Sequence, residues 1–502
     1  MIDRVLRRSP HLALLAAVVP FVVLALWALR APLDLSIGDQ AQYLIHARSI
    51  LEGRAYTDNG YIHYAPVPVS PAAYPPGLPL LVALVQALGG TIMLLRVMML
   101  SIAAGSLYAA GRYLSALEEW WAGPATVFVC ALLPQLPLYA TGVYTDFAFT
   151  GLVWTCCLLV DRPEPWTRSR VVALTLCGVL AIAFRTAAIA LIPALVVHQA
   201  WRAFRHGESR TRALVPLVVW VVAYATLDHL FPATAGYVDQ INGAVASGPA
   251  QPALLVVARL VLKRVLEYRS LLTSLQPSPT PWSVPNAGYH LVVLLLAVLG
   301  GVHWIRRARV RFLFCFAAFY LGILIVMPWP SSRFLWPLLP MLWYGTVLGG
   351  RKLIERFAGD RGRAIRLALA AAALIAMSAR AFGPPTPSLT GIGDLPEGRE
   401  LYAALGRMGA DSALRLGFFN PRDAARLRGV TAMSIPNRPP DGLLEDFSKH
   451  RIAHVVVGSM GTDQPGDSAM RRALAERPAR FEKEFANDSF AIYRIVPAPT
   501  GP

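Results

Sequence analysis

Long apolar runs separated by short arginine-bearing segments set the rhythm of the chain. A run of roughly 17–25 apolar residues suffices to cross a bilayer core. Runs near that length lie at 11–29, 91–113, 122–141, 145–160, 171–184, 186–201, 213–231, 288–305, 310–327, 334–350 and 364–381. They predict an α-helical polytopic membrane protein with about eleven transmembrane helices. The first run follows Arg4, Arg7 and Arg8, as a signal peptide would. It is long, lacks a small-residue cleavage site and leads into more spans, so it reads as a retained helix. A shorter run, Gly77 to Gly90, has Pro75, Pro76 and Pro79 at its start and Gly89-Gly90 at its end, which suits a helix half sunk in the interface.

Treating Gly77 to Gly90 as interfacial puts Arg162/Arg168/Arg170, Arg202/Arg205/Arg210/Arg212, Arg306/Arg307/Arg309/Arg311 and Arg351/Lys352/Arg356/Arg361/Arg363/Arg366 on the cytoplasmic side with the N-terminus. The positive-inside bias then holds except at the turn carrying Glu118 and Glu119. Three outer segments follow: 30–90, 232–287 and 382–502. The middle one predicts a helix over Gln251 to Leu275, whose Arg259, Lys263, Arg264 and Arg269 read as a solvated face before a lipid-phosphate contact. The last is polar. Strand-like runs at Leu414–Phe419, His454–Gly458 and Phe490–Ile495 alternate with helix-like stretches near Arg422–Leu427, Leu443–His450 and Ala469–Glu476, which predicts a small C-terminal α/β extracytoplasmic domain. The Pro-rich Gly383-Pro384-Pro385 marks its boundary, dividing a membrane module over 1–381 from a domain over 382–502. No internal repeat is visible.

Composition agrees with this reading. The chain has 502 residues, 55% hydrophobic and 15% charged, too apolar for a single soluble core. Its formal charge of +17 sits in clusters between apolar runs, a topology signal rather than a nucleic-acid surface. All five cysteines lie in apolar runs, so neither a disulfide framework nor a zinc pattern follows.

Candidate chemistry gathers at the outer ends of the spans. From Gly38 to Gly53, read as a helix, Asp39, Gln42, Tyr43, His46 and Ser49 share one face, while Ala41, Leu44, Ile45 and Leu51 occupy another. That is the pattern of an amphipathic helix lying on the membrane with a carboxylate at its N-terminal end, where Asp39 could equally serve as a cap. Asp146, in Gly142-Val143-Tyr144-Thr145-Asp146, stands at the mouth of another span and could likewise cap it. Two such carboxylates near hydrocarbon are costly unless paired or functional. They could hold an acceptor hydroxyl, one of them removing its proton. A divalent cation, magnesium or manganese, stays open, with Asp39 and Asp146 its ligands if one is bound. Arg96, Arg185 and Arg333 fall near outer span ends against the charge bias, where snorkelling is the plain reading and phosphate recognition the functional one. His46 and His63 read as surface histidines rather than catalytic groups. Tyr64, Tyr74, Trp329 and Trp336 fit an aromatic belt first and a sugar-stacking surface second.

Asp39 in Ile37-Gly38-Asp39-Gln40-Ala41-Gln42-Tyr43 resembles the opening signature of GT-C class glycosyltransferases, the group that includes protein O-mannosyltransferases and the lipid A aminoarabinose transferase. Further matches are Tyr74-Pro75-Pro76-Gly77, Val143-Tyr144-Thr145-Asp146, Phe184-Arg185-Thr186 and the stretch from Ser332-Arg333-Phe334 through Pro340. The resemblance covers roughly 10–350. It implies transfer of a sugar from a polyprenyl-phosphate carrier to a lipid, glycan or protein on the extracytoplasmic side of the cell membrane. Asp39 is then the expected base and Asp146 a second acidic site residue. Arg185 and Arg333 are expected to bind the carrier phosphate, and Arg96, Tyr43, His46 and Tyr74 are expected to line the substrate. Two departures matter: Asp39-Gln40 stands where protein mannosyltransferases carry Asp-Glu, and Tyr74 stands near the point where the aminoarabinose enzymes place a lysine. The competing readings are a transporter or flippase of a lipid-linked saccharide, which would put its polar site near the midplane between repeats, and a non-catalytic envelope assembly factor acting through its tail.

Overall fold

The structure is a computed structural model. It describes residues 9–30, 33, 39–64, 71, 73–133, 135–164, 166–206, 211–231, 258–259, 261–264, 266–268, 284–307, 311–327, 331–357, 392–411, 413–458 and 465–497. The chain forms two compact units, one from 1–31, 90–229 and 248–385, the other from 32–89, 230–247 and 386–502.

The first unit is helical, with helices at Pro10–Ala28, Ile92–Leu117, Ala122–Ala131, Gln135–Ala140, Asp146–Asp161, Arg168–Phe184, Leu191–His206, Thr211–Leu230, Val284–Arg307, Phe312–Val326 and Leu339–Phe357. They lie on ten of the eleven apolar runs; the last, 364–381, and the Gly383-Pro384-Pro385 linker fall outside the described residues. Among the described helices, Pro10–Ala28, Ile92–Leu117 and Thr186–Arg205 are long and apolar enough to cross a membrane unaided. The 122–141 run departs from a single span, because two helices replace it with a break after Ala131. Leu12, Leu15, Val19, Val23 and Leu26 form an exposed apolar stripe on the first helix while Leu14, Val18 and Phe21 are buried. Such a stripe needs a non-aqueous neighbour.

Close backbone approach fixes one helix crossing. A Cβ at Gly300 would come within 1.9 Å of the Gly345 carbonyl oxygen, and one at Gly349 within 2.0 Å of the Leu296 oxygen. Only glycine permits that contact, the usual device where lipid gives no hydrophobic drive to association. The acidic turn that broke the charge bias is neutralised locally. Glu118 takes Arg311 at 2.7 Å and the Trp304 indole N–H at 2.7 Å, and Glu119 takes Arg351 at 2.8 Å.

The second unit is built on a six-stranded sheet: β1 Tyr61–Ile62, β2 Leu414–Gly417, β3 Val430–Met433, β4 His454–Gly458, β5 Phe481–Ala486 and β6 Phe490–Ile495. Their order is β1-β3-β2-β4-β6-β5. The first four are parallel, while β6 runs antiparallel to both β4 and β5. Alternation along the strands feeds two cores, Leu416, Ala432 and Val456 packing with Leu401 and Leu405, and Met433 and Val455 with Leu443, Phe447 and Met470. The strand-like runs of the tail become β2, β4 and β6; β1, β3 and β5 are too short or too polar to stand out in the sequence.

Two expectations change here. The first outer loop, assigned to the membrane module over 1–381, is part of the same unit as 386–502, because β1 pairs with β3 and the Ala432 amide donates to the Gly60 carbonyl at 2.8 Å. Gly60 has φ +82°, and a Cβ there would meet the Val430 oxygen at 2.9 Å, so this joint requires glycine. The helix of that loop, Gln40–Leu51, also does not turn its polar face to water. Gln42, Tyr43, His46 and Ser49 are buried, and it is Leu51 that is exposed.

Candidate functional site

In the first unit the helices Asp146–Asp161 and Arg168–Phe184 form an antiparallel pair, so the start of one and the end of the other share a level. Arg170 closes the far end by donating to the Arg162 carbonyl at 2.9 Å and to the carbonyls of Leu159 and Glu164. At the near end Asp146, 2% exposed, opens its helix and pairs through Oδ1 with Arg185, the residue that ends the other. Its Oδ2 faces Arg333 Nη1 at 3.8 Å. Arg333 belongs to the 3₁₀ turn Ser332–Leu338, anchored by the Trp154 indole donating to the Pro337 carbonyl at 3.0 Å. Aromatic faces orient both guanidiniums, Arg185 over Phe334 at 4.5 Å and Arg333 over Tyr144 at 4.9 Å.

One buried carboxylate thus gathers two guanidiniums, groups whose planar forks match phosphate oxygens. Tyr268, which gave no signal in the sequence, belongs to these surroundings. Burial pushes its phenol up, opposed by the charges of Arg264 and Arg185. Arg96 does not join the cluster. Its buried guanidinium donates to the carbonyls of Thr141 at 2.9 Å and Leu29 at 3.1 Å, tying helix ends together, so its expected role toward substrate gives way to a structural one. Trp336 packs against Phe147 and Tyr139 and is buried, not part of a surface belt, whereas Trp329 lies outside the described residues.

In the second unit the buried polar face of Gln40–Leu51 organises the loop that brings Tyr74 to Asp39. The Gln42 amide donates to the Pro71 carbonyl at 2.8 Å and the Tyr56 hydroxyl to the Tyr74 carbonyl at 2.8 Å. His46 Nδ1 lies 3.0 Å from the Tyr56 carbonyl, and Nε2 accepts from the Tyr74 amide at 3.4 Å, a pattern that requires the neutral ring. Burial agrees, pushing His46 down to about 4. His46 is fully buried and stacked on Tyr56, so it supports the loop instead of meeting substrate. Tyr64, expected at a belt, donates its hydroxyl to Asp446 at 2.7 Å.

The result is a Tyr74 hydroxyl donating to Asp39 Oδ1 at 2.6 Å, with the Tyr43 ring 5.0 Å from that of Tyr74. Arg422 Nη1 reaches the same oxygen at 3.1 Å. Arg422 is the second residue of the short helix Pro421–Ala424 of the C-terminal segment, and nothing in its sequence context marks it as a site residue. Both candidate acids are thus engaged by arginine, a donor set that disfavours a divalent cation. Among the described residues no group of three or more metal-binding side chains comes together.

No protein-family model matches the chain, and no curated protein matches it. Solved structures do. ArnT from Cupriavidus metallidurans bound to undecaprenyl phosphate aligns over 97% of this chain and 99% of its own, at TM-score 0.53 and 15% identity. AglB, the oligosaccharyltransferase of Archaeoglobus fulgidus, in complex with an inhibitory peptide and a dolichol-phosphate, aligns over 94% of this chain and 72% of its own, at TM-score 0.56 and 12% identity. The Archaeoglobus fulgidus oligosaccharyltransferase complex with Zn and sulfate aligns over 89% and 68%, at TM-score 0.56 and 13% identity. Likeness at such low identity speaks to fold, and the fold of this largely helical chain is the one seen in ArnT and AglB.

Proposed function

We propose that the chain is a membrane glycosyltransferase that moves a sugar from a polyprenyl-phosphate carrier to a lipid, glycan or protein hydroxyl. The observation that carries this reading is the buried Asp146 carboxylate held against both Arg185 and Arg333, two guanidinium forks of a shape that matches phosphate oxygens. The fold shared with ArnT and AglB supports the same class of chemistry. In the reaction, Asp39 takes the proton of the acceptor hydroxyl as its oxygen bonds to the anomeric carbon. The bond from that carbon to the phosphate oxygen breaks, and its electron pair leaves with the phosphate. Arg185 and Arg333 stabilise the negative charge that grows there. The basic segments support an extracytoplasmic position for this chemistry in the cell membrane.

The test is transfer by the purified protein from a panel of polyprenyl-phosphate sugars. Asp39→Asn is expected to lower kcat by about 10²–10⁴, the usual worth of a general base, while the thermal midpoint shows a folded protein. Full activity in that variant would overturn the assignment.

A further inference from the structure

The acid at the start of the first outer loop is answered by a cation that lies far along the chain. Arg422 is buried, and among the described residues its Nε has no hydrogen-bond partner, so its charge depends on Asp39 at 3.1 Å. The neighbouring acid, Asp423, is already taken by Arg426 at 2.7 Å and by the Tyr402 hydroxyl. A second clamp holds the same two segments together, because Arg48 donates to the carbonyls of Ala425 and Arg426 at 2.8 Å each. Asp39 and Arg48 are nine residues apart, roughly 14 Å along a helix, so the helix Gln40–Leu51 is fastened to residues 421–426 at both ends.

We propose that Arg422 is a positioning residue for Asp39: it keeps the carboxylate ionised and aimed between the Tyr74 hydroxyl and the acceptor, making the C-terminal fold part of the acid site. The inference rests on the reading of Asp39 as the base. A buried guanidinium favours the charged carboxylate at short range, and its fixed direction spares the base reorientation during proton transfer. Among the described residues, the Tyr74 hydroxyl meets Asp39 with the Tyr43 ring beside that of Tyr74, His46 and Arg48 lie on the acid's own helix and Asp423 on the arginine's, while the packed helix Gly77–Ala87 carries no ionisable side chain.

The full-length protein, assayed with polyprenyl-phosphate sugars, tests this. Arg422→Met is expected to lower kcat about 10- to 100-fold with the donor KM within about twofold, and to move the acid limb of the kcat–pH profile up by about one unit or more. Arg422→Lys is expected to restore that limb towards wild type. An unchanged kcat and pH profile in Arg422→Met, in a protein that Asp39→Asn inactivates, overturns the inference and leaves the base assignment standing. Full activity in Asp39→Asn removes the assignment itself. Thermal midpoints give a readout that needs no substrate. The double variant Asp39→Asn/Arg422→Met is expected to melt no lower than Arg422→Met alone, because a lone buried charge is relieved. Strictly additive losses overturn the pairing.

Discussion

His46 illustrates how much a single side chain can reveal about its surroundings. Its ring must stay neutral to accept the Tyr74 amide, and burial holds its pKa near 4 against about 6.5 in the unfolded chain. The unfolded state therefore binds the extra proton, so stability is full above about pH 6.5 and declines as pH falls towards 4. That is a loss of about 3 kcal/mol by the lower end. Melting curves of the purified protein between pH 7.5 and 4.5 should show this decline, and His46→Gln should flatten it. At the other cluster, Arg333→Ala is expected to lower kcat/KM for the carrier-linked donor about 10- to 100-fold, in line with loss of a charge-assisted contact of about 1.5–3 kcal/mol. A donor titration checks it, and an unchanged kcat/KM would remove Arg333 from phosphate binding. Asp146, Arg185 and Arg333 were legible in the sequence because each is a charge misplaced at the end of an apolar run. Arg96 sends the same signal yet spends its donors on the carbonyls of Thr141 and Leu29, since a snorkelling arginine and a helix-end brace look alike in sequence. Arg422 sends none, because an arginine in a polar tail is ordinary.

Helices were read more readily than the way they face. Periodicity alone finds Gln40–Leu51 and groups Gln42, Tyr43, His46 and Ser49, but a polar face is assigned to water by default. Here Pro71 and Tyr74 meet that face through hydrogen bonds, a tertiary fact that no local pattern encodes. The two-residue strand β1 is equally invisible, since its existence depends on Val430–Met433. Gly60→Val should therefore weaken this joint. With φ +82° and a carbonyl oxygen in the way, a cost of about 1–3 kcal/mol is expected, visible as a lower midpoint and greater protease sensitivity around residues 54–62. Gly349→Leu, by contrast, should part the Val284–Arg307 and Leu339–Phe357 helices, because its side chain would occupy the Leu296 carbonyl position. Loss of folded protein from detergent extracts checks that expectation, and normal yield would contradict the packing.

Across the whole molecule the apolar runs gave the helices of the first unit, since bilayer thickness acts on composition directly. Orientation is open to experiment. The native thiols Cys130, Cys156, Cys157 and Cys315 are buried and Cys177 is half-buried, so background labelling should be low. A cysteine at the exposed Ser468 should react with an impermeant maleimide in intact cells or spheroplasts, and one at Arg356 only after permeabilisation. The reverse pattern would place the chemistry on the cytoplasmic side. The division into units was not legible, because it joins the first outer loop to a tail more than 300 residues away.

That joining has a consequence for biosynthesis. Tyr61 must wait for Ala432, roughly 370 residues later, before its strand has a neighbour. Throughout most of synthesis the early segment bearing Asp39 lacks both its sheet and its arginine. A polypeptide cut short before Arg422 would thus leave Asp39 without the guanidinium that meets it in the complete fold.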